Sequence, residues 1–411
     1  MIAETRIRRL TLTGSRRWDF VLVGLGTAAI SLLVLWPIID VSLGGDQYVF
    51  LARRLLEGRL DVDNLPARYG DYVSWQGHKY LPFGPFPAVL LVPFLLLINV
   101  GMPMVLVGYV FSAINVVLFY HVLSAAGISD ERRHWATLLY FCGTPYLSVM
   151  LVGISTYLAH VIVTTFLLLS IREALGRRRG LLVGLYLGLA AAARLTALFS
   201  LPFFILMLWH QRTSNEKQNA PAVQLPALIV GLLAPLLLVC WYNYARFGNP
   251  METGFGKAVL YSDVLDKARS VGLFSFAHIP KNLFMMLFQG PEPVGGDGAA
   301  VLRFPYIVPS RWGMGLFFTS PALVYIFRAP RADRLVRACW LATLATIVPL
   351  ITYYGIGYVQ FGYRYALDFM PFLILLAALG LPSPMTARGR ALVALSVAIN
   401  LWGAVTLAVW L

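Results

Sequence analysis

Eleven apolar runs, most of them near the length of a bilayer crossing, leave this chain few folds. They fall at roughly 19–40, 104–124, 134–151, 157–173, 180–193, 196–210, 225–243, 312–328, 335–355, 365–381 and 390–410. A helical crossing takes about 20 apolar residues. A soluble core cannot absorb that much apolar surface: 59% of residues are hydrophobic, 13% are charged, and the mean hydropathy is +0.72. The expected fold class is an all-α polytopic membrane protein of about eleven transmembrane helices. The runs 180–193 and 196–210 are short, and Arg194 between them favours two spans meeting there over one long helix.

Charge sets the expected topology. The segment 86–99 is apolar but short, and it carries Pro87 and Pro93. If it does not cross and the N-terminus is cytoplasmic, the inner segments are 1–18, 125–133, 172–179, 211–224, 329–334 and 382–390. Each carries Lys or Arg, including the run Arg177-Arg178-Arg179. Counting 86–99 as a span would move that run and Arg132-Arg133 outside, against the positive-inside bias. The segment is therefore expected to be re-entrant or interfacial, with the C-terminus outside. The first span follows Arg6, Arg8, Arg9, Arg16 and Arg17 and shows no small-residue cleavage site, as in a retained signal-anchor. The net charge of +14 then reflects inner loops and lipid headgroups, with no nucleic-acid partner. Cys142, Cys240 and Cys339 are far apart and give neither a disulfide framework nor metal spacing.

One membrane domain over 1–411 results, with no internal repeat and two long extracytoplasmic loops, 41–103 and 244–311. Both are rich in Trp, Tyr, Pro and Gly, and long ordered loops usually carry function. In the first, Tyr48, Leu51, Ala52, Leu55 and Leu56 form the stripe of an amphipathic helix that Gly58 stops, with Arg53, Arg54 and Glu57 opposite. Such a helix is expected to lie on the bilayer, apolar side down. The stretch from Trp75 to Pro85 returns aromatic rings and Lys79 to the same surface. Asp46 stands at the start of this helix, where it suits an N-cap as well as a catalytic base. Asp40 is the second candidate base.

Several short motifs carry a family resemblance. They are Asp46, Tyr48, Ala52, Leu55 and Gly58 after the first span, the segment Tyr80-Leu81-Pro82-Phe83-Gly84-Pro85-Phe86-Pro87, the segment 243–250, and the segment 360–368. Together they resemble the GT-C superfamily of membrane glycosyltransferases, in particular the family of protein O-mannosyltransferases and the lipid A aminoarabinose transferase. The likeness extends to a first outer loop with surface helices followed by many spans. Gln47 departs from the Asp-Glu pair common in the family, and the soluble C-terminal domain of some relatives has no counterpart here.

The resemblance implies inverting transfer of a sugar from a polyprenyl-phosphate donor to an acceptor hydroxyl, on the extracytoplasmic face of the cytoplasmic (inner) membrane. The acceptor is a lipid, a glycan or a protein. A carboxylate takes the acceptor's proton, and cations stabilise the departing phosphate. Asp46 is the expected base, and Lys79, Arg194 and Arg364 are candidates for the phosphate. Tyr48, His78, Tyr80 and Tyr365 are candidates for substrate contact. No metal ligands are assigned, and a divalent metal stays open as cofactor. From the residues themselves, Asp61, Asp63 and Asp71 could supply a carboxylate pair for glycoside cleavage, although Asp61 and Asp63 better fit a turn after Gly58, and His160 fits a packing role. Glu252, Asp263 and Asp266 are unranked candidates for acceptor contact in the second loop, whose Phe255, Phe274, Phe276 and Trp312 suit either stacking on sugar rings or an interfacial belt. The competing readings are a lipid-linked sugar flippase or transporter and a polysaccharide polymerase or ligase.

Overall fold

The structure, a computed structural model, describes residues 45–66, 69–98, 104–209, 220–260, 263–295 and 301–410. The expected signal-anchor at 19–40 and Asp40 lie outside the described residues. The chain is mostly helical. It opens with α1 (Gln47–Leu56), a hairpin of β1 (Val73–Trp75) and β2 (His78–Tyr80), and α2 (Phe86–Ile98). There follow α3 (Met104–Ala125), α4 (Asp130–Cys142), α5 (Tyr146–Met150), α6 (Ser155–Leu175), α7 (Gly180–Ala193), α8 (Leu201–Trp209) and α9 (Pro221–Phe247). The next segment holds α10 (Asp263–Ser270), α11 (Ile279–Leu287), and a second hairpin, β3 (Glu292–Gly295) with β4 (Leu302–Val308). Then come β5 (Trp312–Met314), α12 (Leu316–Thr319), α13 (Arg334–Thr352), β6 (Gln360–Gly362), α14 (Met370–Gly380) and α15 (Ala387–Trp410).

Among the described residues, five helices are long and apolar enough to cross a membrane: α3, α6, α9, α13 and the 387–407 part of α15. Shorter apolar helices lie at 86–97, 180–193, 195–209 and 370–380. Four expected spans are divided: 196–210 and 365–381 each into a 3-10 stretch and a short α-helix, and two others more sharply. The run 134–151 splits into α4 and α5 at Gly143-Thr144-Pro145, because Pro145 cannot donate into a continuing helix. The run 312–328 is divided among β5, α12 and a 3-10 helix over Pro321–Arg328, again with proline at the break.

Glycine spacing fixes the closest helix pair. Gly180, Gly184 and Gly188 recur every four residues along one face of α7. A Cβ on Gly184 would lie 1.9 Å from the Leu228 carbonyl oxygen of α9, and one on Gly180 would lie 2.0 Å from that of Gln224. From the other side, a Cβ on Gly231 would lie 2.1 Å from the Leu181 carbonyl oxygen. This is the small-residue seam by which helices in lipid, lacking a hydrophobic drive to associate, gain dispersion contact.

The helix α1 does not lie free on a bilayer. Tyr48, Leu51 and Ala52 are fully buried against the protein, where α1 packs on α2, while Leu56 is exposed. Arg54, expected on the polar face, is buried too, bound by Asp61 and Glu57. The first and later parts of the chain meet at a bridge between Tyr72 and Val259. Within the later part, β5 and β6 pair in parallel, with Trp312 opposite Gln360.

Candidate functional site

The start of α1 crosses the start of α6. The Ser155 N–H donates to the Gly45 carbonyl (2.6 Å), and Ser155 Oγ accepts from the Tyr48 N–H (2.9 Å). The space is tight, since a Cβ on Gly45 would sit 2.8 Å from the Ile154 side chain. Ser155 thereby satisfies a helix-start donor that an N-cap side chain would ordinarily take. Asp46 occupies the cap position, yet its carboxylate makes no cap hydrogen bond. It accepts instead from the Tyr69 hydroxyl, and the Tyr69 ring packs on Phe50 of α1 (5.7 Å between centroids). The half-buried carboxylate is thus oriented from the side and remains free to accept a further proton donor.

The Pro-rich element brings α1 to Arg194. Phe83 packs edge-on against Tyr48 (6.0 Å), and Gly84 presses on the end of α7, where a Cβ would meet the Ala192 carbonyl oxygen at 2.3 Å. The residue that follows α7 is Arg194. Arg194 Nε bonds both oxygens of Asp368 (2.9 and 3.0 Å). Asp368 is fully buried and also pairs with His160 Nδ1 at 3.0 Å and with Thr196. The packing role expected for His160 fits this contact.

Tyr365 joins this group to the second guanidinium. Arg194 lies over its ring at 5.2 Å from the centroid, and Arg364 at 5.3 Å. Arg364 is 8% exposed and also lies over the Tyr157 ring (5.2 Å). Its Nη1 donates to the Tyr358 carbonyl (3.2 Å) and to Gln360 Oε1 (3.1 Å), while its Nε has no hydrogen-bond partner among the described residues. Gln360 is held in turn by donating to the Trp312 and Ile356 carbonyls, at 2.8 Å each. Among the described residues no carboxylate forms an ion pair with Arg364, so its charge is not cancelled locally.

The cation that acts on Asp71 is Arg364. Asp71 sits two residues beyond Tyr69, with a left-handed backbone (φ 55) and its N–H donating to the Val259 carbonyl (3.0 Å). Burial pushes its carboxyl up to about 6, against the opposing pull of Arg364.

The remaining predicted residues form a separate group on the first hairpin. His78 Nδ1 pairs with Asp63 (2.7 Å), and the Lys79 ammonium donates to the Leu65 carbonyl (3.4 Å) and lies over the Tyr72 ring (5.1 Å). Tyr80 packs on Phe247 (5.5 Å). Asp61, Asp63 and His78 offer three ligand atoms within 4.8 Å of one another. A metal fits poorly there. Asp61 already receives Arg54 (2.5 and 3.1 Å) and Arg59 (2.9 Å). Burial opposes the charge on Asp61, but those guanidiniums outweigh it and hold the carboxyl down at about 2. The set is a charge-paired turn.

In the second long segment Glu252 pairs with Lys257 (2.9 Å) and Asp266 with Arg269 (2.7 Å). Phe255 closes over the first loop, with its ring 6.3 Å from Phe83 and 6.4 Å from Tyr353. Sequence reasoning missed Tyr69, Ser155 and the partnership of Asp368 with Arg194. Comparison with known proteins gives no match: no family model, no curated protein and no solved structure aligns with the chain.

Proposed function

We propose that the chain is an inverting glycosyltransferase of the GT-C type, with about eleven spans, a cytoplasmic N-terminus and an extracytoplasmic active site in the cytoplasmic membrane. The donor is a polyprenyl-phosphate sugar, and the acceptor is a hydroxyl of a lipid, glycan or protein. Asp46 is the general base that takes the acceptor's proton as its oxygen attacks the anomeric carbon. The observation that carries this reading is that Asp46 stands at a helix start without capping it, its carboxylate aimed by Tyr69.

The arginines support the reading in different ways. Arg364, buried and without an ion-pair partner among the described residues, suits a phosphate whose charge grows as the sugar leaves. Arg194 is neutralised by Asp368 and serves better to fix Tyr365 than to hold an anion. A phosphate monoester leaves without help from an acid, so one base and one anion site suffice. Tyr48 and Tyr365 are the substrate contacts closest to this chemistry. Lys79, His78 and Tyr80 would serve the acceptor side.

The reading is tested with sealed membrane vesicles carrying the wild-type chain and a panel of labelled polyprenyl-phosphate sugars. Transfer of label, with the anomeric configuration inverted, is the expected result. No transfer from any donor, together with movement of labelled lipid across the bilayer, would replace it with a flippase. Label growing into a long glycan would favour a polymerase or ligase.

A further inference from the structure

The stretch from α11 to β5 presents an apolar surface of an unusual kind, and its base lies at the end of a membrane-length helix. Asn282 of α11 donates to the carbonyls of Ile351 (2.9 Å) and Tyr353 (2.7 Å), at the C-terminal end of α13. The Ser275 N–H reaches the Thr352 carbonyl (2.7 Å), and the Tyr354 N–H reaches that of Leu273 (3.1 Å). Because α13 is long and apolar enough to cross a membrane, these bonds put α11 at the level where it emerges. The helix turns Asn282, Met285 and Met286 inward. Its outer face carries Lys281 and Phe284, and Phe288, the residue that ends it, is 67% exposed. The outward side therefore carries large aromatic groups where a helix facing water carries polar ones.

The hairpin continues the pattern. Val301 and, within β4, Phe304 and Tyr306 are all exposed, Phe304 to 85%. Every residue of β4 from Leu302 to Ile307 is exposed, so neither face of the strand rests on the protein. A two-stranded hairpin with both faces in water has little to hold it, and large exposed apolar patches mark an interaction surface. Its base is held at the same level, because the Gly315 N–H donates to the Gln289 carbonyl (2.7 Å) across the two ends of the excursion. Arg303 on the strand and Lys281 on α11, the latter over the Trp312 ring at 5.7 Å, supply cations beside the apolar groups.

We infer that α11 and the β3–β4 hairpin are seated in the outer boundary of the lipid leaflet at the C-terminal end of α13, with Phe284, Phe288 and Phe304 among the acyl chains. Lys281 and Arg303 reach the headgroups, as long cationic side chains do beside buried aromatic rings. The occupant of the surface is therefore lipid. Two structural facts favour lipid over another protein: the surface is continuous with the end of a membrane-length helix, and cations lie among its aromatic rings. The inference is independent of any catalytic role.

The test uses the full chain with Cys142, Cys240 and Cys339 replaced by Ala, single cysteines introduced by Phe304→Cys or Phe288→Cys, and Lys267→Cys on the polar helix α10 as a control. Each is labelled with an environment-sensitive fluorophore in phosphatidylcholine nanodiscs. At Phe304 and Phe288, chains brominated near the headgroup should quench the label several-fold more than aqueous iodide does; at Lys267 the order should reverse. Strong iodide quenching at both aromatic positions would overturn the inference, as would protection from both quenchers, which would mean that a second copy or another protein covers the surface. Phe304 touches little of the protein, so its substitution spares folding, and Val301→Cys repeats the measurement at a neighbouring position.

Discussion

The first long loop and its surroundings hold two polar groups of similar content and opposite design. Around Asp61 and Asp63, every acid meets a base at close range, with Arg54, Arg59 and His78 all engaged and much of the set open to solvent. Around Tyr365, Arg194 is matched by a fully buried Asp368, while Arg364 keeps its charge with no ion pair among the described residues and acts from a distance on a half-buried Asp71. Closed pairs hold a turn in shape. An open charge beneath a roof of aromatic rings has electrostatic work left to do, because little water is there to screen it.

The largest expected effect is at the closed part of the buried group. Arg194→Gln leaves Asp368 as an uncompensated buried charge and should destabilise the protein by about 3–5 kcal/mol. Adding Asp368→Asn should recover most of that loss, which thermal unfolding of the purified single and double variants would reveal. If the double variant is no more stable than the single, the pair is not what holds the two segments together.

Asp71 comes next. Its folded carboxyl, raised to about 6, lies above its unfolded value, so folding binds a proton and stability falls as pH rises from about 4 through 6. Asp71→Asn removes that loss. It should raise the melting temperature at pH 7.5, corresponding to up to about 3 kcal/mol, and leave it unchanged near pH 4. Asn also tolerates the left-handed backbone at this position. A melting temperature equally shifted at both pH values would show that the effect is not electrostatic.

Arg364→Gln keeps hydrogen bonding but removes the open charge. Donor affinity, read by competition with polyprenyl phosphate, should weaken by about 1.5–3 kcal/mol, the worth of a charge-assisted hydrogen bond. Unaltered affinity would move the anion site elsewhere. The smallest effect belongs to the exposed turn: Arg59→Ala should cost about 0.2–1 kcal/mol and leave donor affinity unchanged.

Much of this arrangement is written locally in the sequence. The helices at 104–125 and 155–175 follow directly from their apolar runs, and α1 from its 3.6-residue stripe. What the stripe faces is not local: it points at α2 because the chain folds back, so a helix expected on the bilayer lies on protein. The pairing of Arg194 with Asp368 spans 174 positions and joins two apolar segments, and no spacing within one sequence announces it. Tyr69 was equally silent, a tyrosine among several in a loop. The glycine seam was legible, since Gly180, Gly184 and Gly188 stand four apart in a short apolar run, the pattern of close helix contact in membranes. Breaks at Pro145 and Pro321 could be read the same way.

The central claim rests on Asp46 and is tested by Asp46→Asn. The substitution leaves the helix start intact, because the aspartate makes no cap hydrogen bond to lose. Sugar transfer and binding of the polyprenyl-phosphate donor are measured in the same membranes. Transfer should fall by about 10²–10⁴-fold while donor binding is unchanged. A variant that transfers sugar at the wild-type rate would contradict that claim and remove Asp46 from the chemistry.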